Sequence, residues 1–82
     1  MITIEVITKQ GCHLCDLLLG ELDVLKTTHP FMVRLTYLEE DPEKMAKYGN
    51  DIPVVLVDDI EVCRHCLDRD ALISRLGRDR TG

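Results

Sequence analysis

Four cysteines stand at positions 12, 15, 63 and 66, as two Cys-x-x-Cys pairs separated by 47 residues. A bridge inside either pair closes a tiny loop and constrains little chain entropy, so neither pair is suited to stapling a small secreted fold. The spacing instead fits dithiol exchange or metal ligation. The first pair, Cys12-His13-Leu14-Cys15, follows the breaker Lys9-Gln10-Gly11 and opens an apolar-periodic run. A sulfur at the mouth of a helix meets free backbone N–H groups and the positive end of the helix dipole, which favour its thiolate. Lys9 and His13 can add positive charge. Cys15, one turn deeper, should keep its proton until needed. An exposed low-pKa thiolate beside a resolving thiol is the arrangement thiol–disulfide exchange requires.

Those cysteines need a scaffold, and the rest of the chain supplies one. Residues 2–7 alternate as a strand, with Ile2, Ile4 and Val6 on one face and Thr3, Glu5 and Ile7 on the other. Leu14, Leu17, Leu18, Leu22 and Leu25 recur at helical spacing from about Cys12 to Thr27, which predicts an amphipathic helix ended by His29-Pro30. Gly20 inside it costs about 1 kcal/mol relative to Ala and suggests close helix–sheet packing. Phe31, Val33, Leu35 and Tyr37 alternate in a second strand. Asp41-Pro42-Glu43 starts a short helix that ends near Tyr48-Gly49. The continuous run Val54–Val57 predicts a strand covered on both faces. Asp58-Asp59 turns the chain into a hairpin partner over Ile60 to about Arg64, with Val54 facing about Cys63. Asp68 caps a last helix bearing Ala71, Leu72, Ile73 and Leu76, and Gly77 closes it. The expected fold is α/β, in the order β-α-β-α-β-β-α: one four-stranded mixed sheet with helices on both faces. A single domain over residues 1–77 and a frayed polar tail over 78–82 follow.

Composition narrows the chemistry. The chain has 82 residues, 45% apolar and 30% charged, with 10 Lys+Arg against 15 Asp+Glu. A net charge of −5 argues against nucleic acid as a partner. No apolar run reaches the ~18–20 residues of a membrane span, and the N-terminus reads as a strand rather than a signal peptide. A cytoplasmic monomer is expected.

The sequence Lys9-Gln10-Gly11-Cys12-His13-Leu14-Cys15-Asp16, with Asp51-Ile52-Pro53-Val54 about forty residues on, resembles the glutaredoxin branch of the thioredoxin superfamily. It is most similar to the small bacterial glutaredoxin-like proteins with a Gly-Cys-His-Leu-Cys active site. The resemblance implies a thioredoxin/glutaredoxin-like fold and a thiol–disulfide oxidoreductase acting on protein disulfides or glutathione mixed disulfides, with Cys12 and Cys15 catalytic. It implies no bound cofactor, with glutathione or a flavoenzyme reductase as electron donor. It also implies a cis peptide before Pro53, which lies against the active-site sulfurs, and Ile52 backbone groups offered to substrate beside Lys9 and His13. Where that family carries Gly-Gly after its fourth strand, this chain has Cys63-Arg64, leaving Arg64 and Lys9 as cations for a carboxylate. Asp68 reads either as a helix cap or as a glutathione contact. Cys63 and Cys66 keep three readings: packed thiols, an auxiliary redox pair, or half of a four-cysteine zinc or iron–sulfur site with His13 or His65 as substitutes. The redox reading needs no metal.

Overall fold

The computed structural model describes residues 2–80, with side chains as far as residue 77. The strands are β1 (Thr3–Thr8), β2 (Met32–Tyr37), β3 (Val54–Val57) and β4 (Ile60–Arg64). The helices are α1 (His13–Leu25), α2 (Pro42–Tyr48) and α3 (Arg69–Arg80), with a single 3₁₀ turn over Leu38–Glu40. The sheet order is β2-β1-β3-β4, with β1 parallel to β2 and antiparallel to β3. The expected element order and four-stranded mixed sheet are therefore present.

β1 and β3 are the inner strands, so both their faces are covered. On one face Ile4, Val6, Val55 and Val57 pack with Leu18, Leu22 and Leu25 of α1, Leu72 and Leu76 of α3, and Phe31. On the other, Ile7, Val54 and Leu56 pack with Leu38 and Tyr48, the last residue of α2. The alternation in β1 and the unbroken apolar run in β3 follow from this layering. Asp41 caps α2 by accepting the Lys44 N–H at 3.1 Å, and Pro42 occupies its first turn.

Four expectations change. Leu14 and Leu17 are more than half exposed, whereas Cys15 is buried. The inward stripe of α1 is Cys15, Leu18, Leu22 and Leu25, at steps of three and four residues. No close contact calls for Gly20, because a Cβ there would meet nothing within 4 Å. The hairpin is irregular. Val57 faces Ile60 through a turn in which Asp58 and Asp59 both have positive φ, but a register shift after Leu56 pairs Val55 with Cys63 and Val54 with Arg64. One extra residue, Val62, has entered β4 as a bulge. Finally, α3 runs through Gly77 to Arg80 rather than closing at the glycine. Residues 81–82 of the expected tail lie outside the described residues.

The buried carboxylate of Glu5 is a consequence of the central position of β1. Arg34 Nη2 donates to it at 2.9 Å, the Thr36 hydroxyl at 2.6 Å, and Lys44 Nζ lies 4.0 Å away. Burial alone would raise its pKa; the Thr36 and Arg34 hydrogen bonds and the two cations outweigh burial and hold it below the ordinary 4.5. A folded-state pKa below the unfolded one contributes stability that is complete above the ordinary carboxylate range and is lost as pH falls through the folded value. Glu5→Gln should therefore flatten the loss of stability between about pH 5 and pH 3, measured by urea unfolding at each pH. An identical acid limb in both proteins would contradict this.

Candidate active site

β1 ends at Thr8 and its chain turns through Lys9-Gln10-Gly11 into α1. Two features shape that turn. Gly11 has φ +73°, a left-handed conformation that favours glycine. The N–H of Gln10 donates to Glu39 Oε2 at 2.9 Å, which ties the loop to the 3₁₀ turn after β2. Glu39, the first acid of the run Glu39-Glu40-Asp41, thus anchors the loop, and no local sequence pattern announces it.

Cys12 is the N-cap of α1. Its backbone is extended (φ −79°, ψ 106°), and its Sγ accepts the N–H of Cys15 at 3.2 Å. Cys12 and Cys15 are joined by a disulfide, with their Cα atoms 5.3 Å apart. Cys12 is half-buried, while Cys15 is 1% exposed. The pair is therefore asymmetric: one sulfur meets solvent at the helix mouth, and the other faces the core. When the bridge opens, the same N–H that caps the helix is placed to stabilise a Cys12 thiolate. Lys9 and His13 are exposed at this mouth, and the Lys9 carbonyl accepts the Cys12 N–H at 3.3 Å. Among the described residues, no hydrogen bond joins the side chain of either to the cysteine sulfurs.

The Ile52–Pro53 peptide is cis. Ile7 pairs with Val54, so the antiparallel register sets Pro53 at the level where β1 hands over to the loop carrying Cys12. Pro53 is buried, and Ile52 packs on the α2-side cluster. The Pro53 carbonyl accepts the His65 N–H at 2.7 Å, which binds the segment after β4 to the start of β3.

Residues 3–77 match the sequence model of the Glutaredoxin-like domain (DUF836). The chain belongs to this glutaredoxin-like family. No curated protein sequence matches it. Among solved structures it is similar to protein Ne2328 from Nitrosomonas europaea, with a TM-score of 0.84 at 25% identity over 90% of this chain and 89% of that one. Thioredoxin 1 from Thermosipho africanus aligns with a TM-score of 0.63 at 19% identity, covering 96% and 94%. A mutant thioredoxin from Halobacterium salinarum gives 0.60 at 20% identity, covering 94% and 73%. At those identities the thioredoxins show the fold, which is the one expected.

One side chain of this glutaredoxin-like chain is placed differently from the sequence reading. Arg64 is already engaged, by Glu61 at 2.6 Å and Asp51 at 3.1 Å, and Asp51 also meets His65 at 3.3 Å. Arg64 is thus a partner of its own chain's carboxylates. Asp68 caps α3, accepting the Ala71 N–H at 3.1 Å. Cys63 is half-buried and Cys66 exposed, both as free thiols. Burial pushes the Cys63 thiol pKa up, partly offset by the backbone N–H of Asp68. Among the described residues, no three His, Cys, Asp or Glu side chains converge on a metal-sized site, so the four-cysteine alternative has no preformed ligand set. The exposed Leu14 and Leu17 border a groove with Leu18, Cys66 and Leu67.

Proposed function

We propose that this glutaredoxin-like protein is a thiol–disulfide oxidoreductase in which Cys12 is the nucleophile and Cys15 the resolving thiol. The observation that carries the reading is the asymmetric Cys12–Cys15 bridge at the N-terminus of α1. In the reduced protein, the Cys12 thiolate attacks one sulfur of a substrate disulfide. A Cys12–substrate bond forms, and the other substrate sulfur leaves as a thiolate. Cys15 then loses its proton and attacks Cys12 Sγ, restoring the bridge and releasing the second substrate sulfur. Two electrons have moved from the dithiol to the substrate, and the Cys12–Cys15 bridge is the oxidised end of this proposed cycle.

Pro53 and the backbone of Ile52 border the approach to Cys12, with the Lys9 ammonium and the His13 imidazole at its rim. Substrates are protein disulfides or glutathione mixed disulfides, and glutathione or a flavoprotein reductase returns the electrons. A cytoplasmic monomer suits this cycle, because that compartment keeps dithiols reduced. Among the described residues no helix is long and apolar enough to cross a membrane. Cys63 and Cys66 are not needed for these steps.

The test is a single-turnover reaction of reduced protein with a disulfide-bonded protein such as insulin. One substrate disulfide should open for each Cys12–Cys15 bridge that forms, as located by peptide mapping. Substrate reduction without that bridge, or no reduction at all, would overturn the assignment.

A further inference from the structure

Cys63 and Cys66 share the Cys-x-x-Cys spacing of the first pair and stand outside the cycle above. In a regular strand, residues three apart point to opposite faces. Cys63 belongs to β4 and packs against the cluster on the α1 and α3 face of the sheet. Continued as a strand, the chain would carry Cys66 to the other face. It does not continue. His65 has φ +71°, a left-handed conformation uncommon for a residue with a side chain, and its N–H is fixed to the Pro53 carbonyl. The reversal at His65 brings Cys66 back toward α1, where it lines the groove with Leu14, Leu17 and Leu18. Both thiols therefore lie on the α1 side of the sheet. Their exposures differ as those of the first pair do: Cys66 is open to solvent and Cys63 is half-buried.

We propose that Cys63 and Cys66 form a second dithiol–disulfide couple, with Cys66 as the attacking thiol, Cys63 as the closing thiol and small disulfides such as glutathione disulfide as its substrate. The Cys66 thiolate attacks one sulfur of glutathione disulfide. A Cys66–glutathione bond forms and one glutathione thiolate leaves. Cys63 gives its proton to solvent and attacks Cys66 Sγ, and the second glutathione thiolate leaves. Two protein thiols become one bridge, and one glutathione disulfide becomes two glutathiones. No helix mouth activates Cys66, and burial holds the Cys63 proton, so this couple should react more slowly at neutral pH than the first. The reduced chain then stores four electrons in two separable couples, and Cys66 belongs to the same groove as Leu14 of the first pair.

This inference does not depend on the activity assigned to Cys12. Its test uses the Cys12→Ser/Cys15→Ser variant, equilibrated across a glutathione/glutathione disulfide series, acid-quenched and mapped. Both remaining thiols should disappear together in a single two-electron transition, with the bridge inside one peptide. Adding Cys63→Ser should instead leave glutathione bound to Cys66. Two free thiols under oxidising excess, or a halt at the Cys66 adduct with Cys63 free, would overturn the proposal. The native chain provides a check should the variant fail to fold. It should lose four thiols in two steps, and the loss of only two would overturn the proposal equally.

Discussion

Replacing Cys12 by serine is expected to reduce disulfide turnover by ~10³-fold or more, the scale on which removal of a covalent nucleophile acts. The reason lies in the capping geometry. The Cys15 N–H that meets Cys12 Sγ would equally well meet a serine oxygen, so α1 keeps its cap and the fold should survive. What is lost is the ionisable sulfur, because a serine hydroxyl does not deprotonate near neutral pH. Cys15→Ser should behave differently. The nucleophile remains, the first exchange proceeds, and the mixed disulfide with substrate has no internal thiol to open it. The variant should accumulate a covalent complex with a disulfide-bonded protein substrate, visible on non-reducing gels and dispersed by added thiol. Equal activities for the two variants, or trapping through Cys15 in the Cys12→Ser protein, would reverse the assigned roles.

Phe31→Ala should be the most damaging of the core truncations. Phe31 is the chain's single phenylalanine and is 1% exposed, packed where α1, α3 and the sheet meet. Truncation of a buried phenylalanine costs about 3–5 kcal/mol through lost transfer energy and the residual cavity. A domain of this length holds roughly 4–12 kcal/mol in total, so the variant should lose about a quarter of its stability or more. The neighbouring Met32 is 57% exposed, and Met32→Ala should stay within about 0.5 kcal/mol of wild type. Urea unfolding of the two variants compares them directly. Similar midpoints would mean that Phe31 does not hold the α1–α3 layer together.

The scaffold was legible because its patterns are local. The alternation of residues 2–7, the Asp41-Pro42 start of α2 and the apolar run Val54–Val57 each specify an element without long-range information. The features that escaped depend on partners distant in sequence. Alternation assigns Glu5 to the face of Thr3 and Ile7, but only the α2 layer makes that face buried. The bulge at Val62 carries no glycine or proline to announce it. Leu14 and Leu17 read as core only while Cys15 is left out of the apolar stripe. Counted as an apolar residue, it completes the inward stripe with Leu18, Leu22 and Leu25 and leaves both leucines outside. At the site, the spacing and the helix boundary were enough to make Cys12 a cap and Cys15 a buried partner. The engagement of Arg64 by Asp51 and Glu61 rests on the turn of the chain around β4, which spacing alone does not reveal.

The proposed chemistry requires the mouth of α1 to ionise Cys12 selectively. The direct measurement is the pH dependence of iodoacetamide alkylation of the fully reduced protein, followed residue by residue with mass spectrometry. Cys12 should react first, along a titration curve centred well below the ~8.5 of a free thiol, and Cys15 should lag far behind at every pH. A Cys12 curve centred at or above the free-thiol value, or equal rates at Cys12 and Cys15, would contradict it.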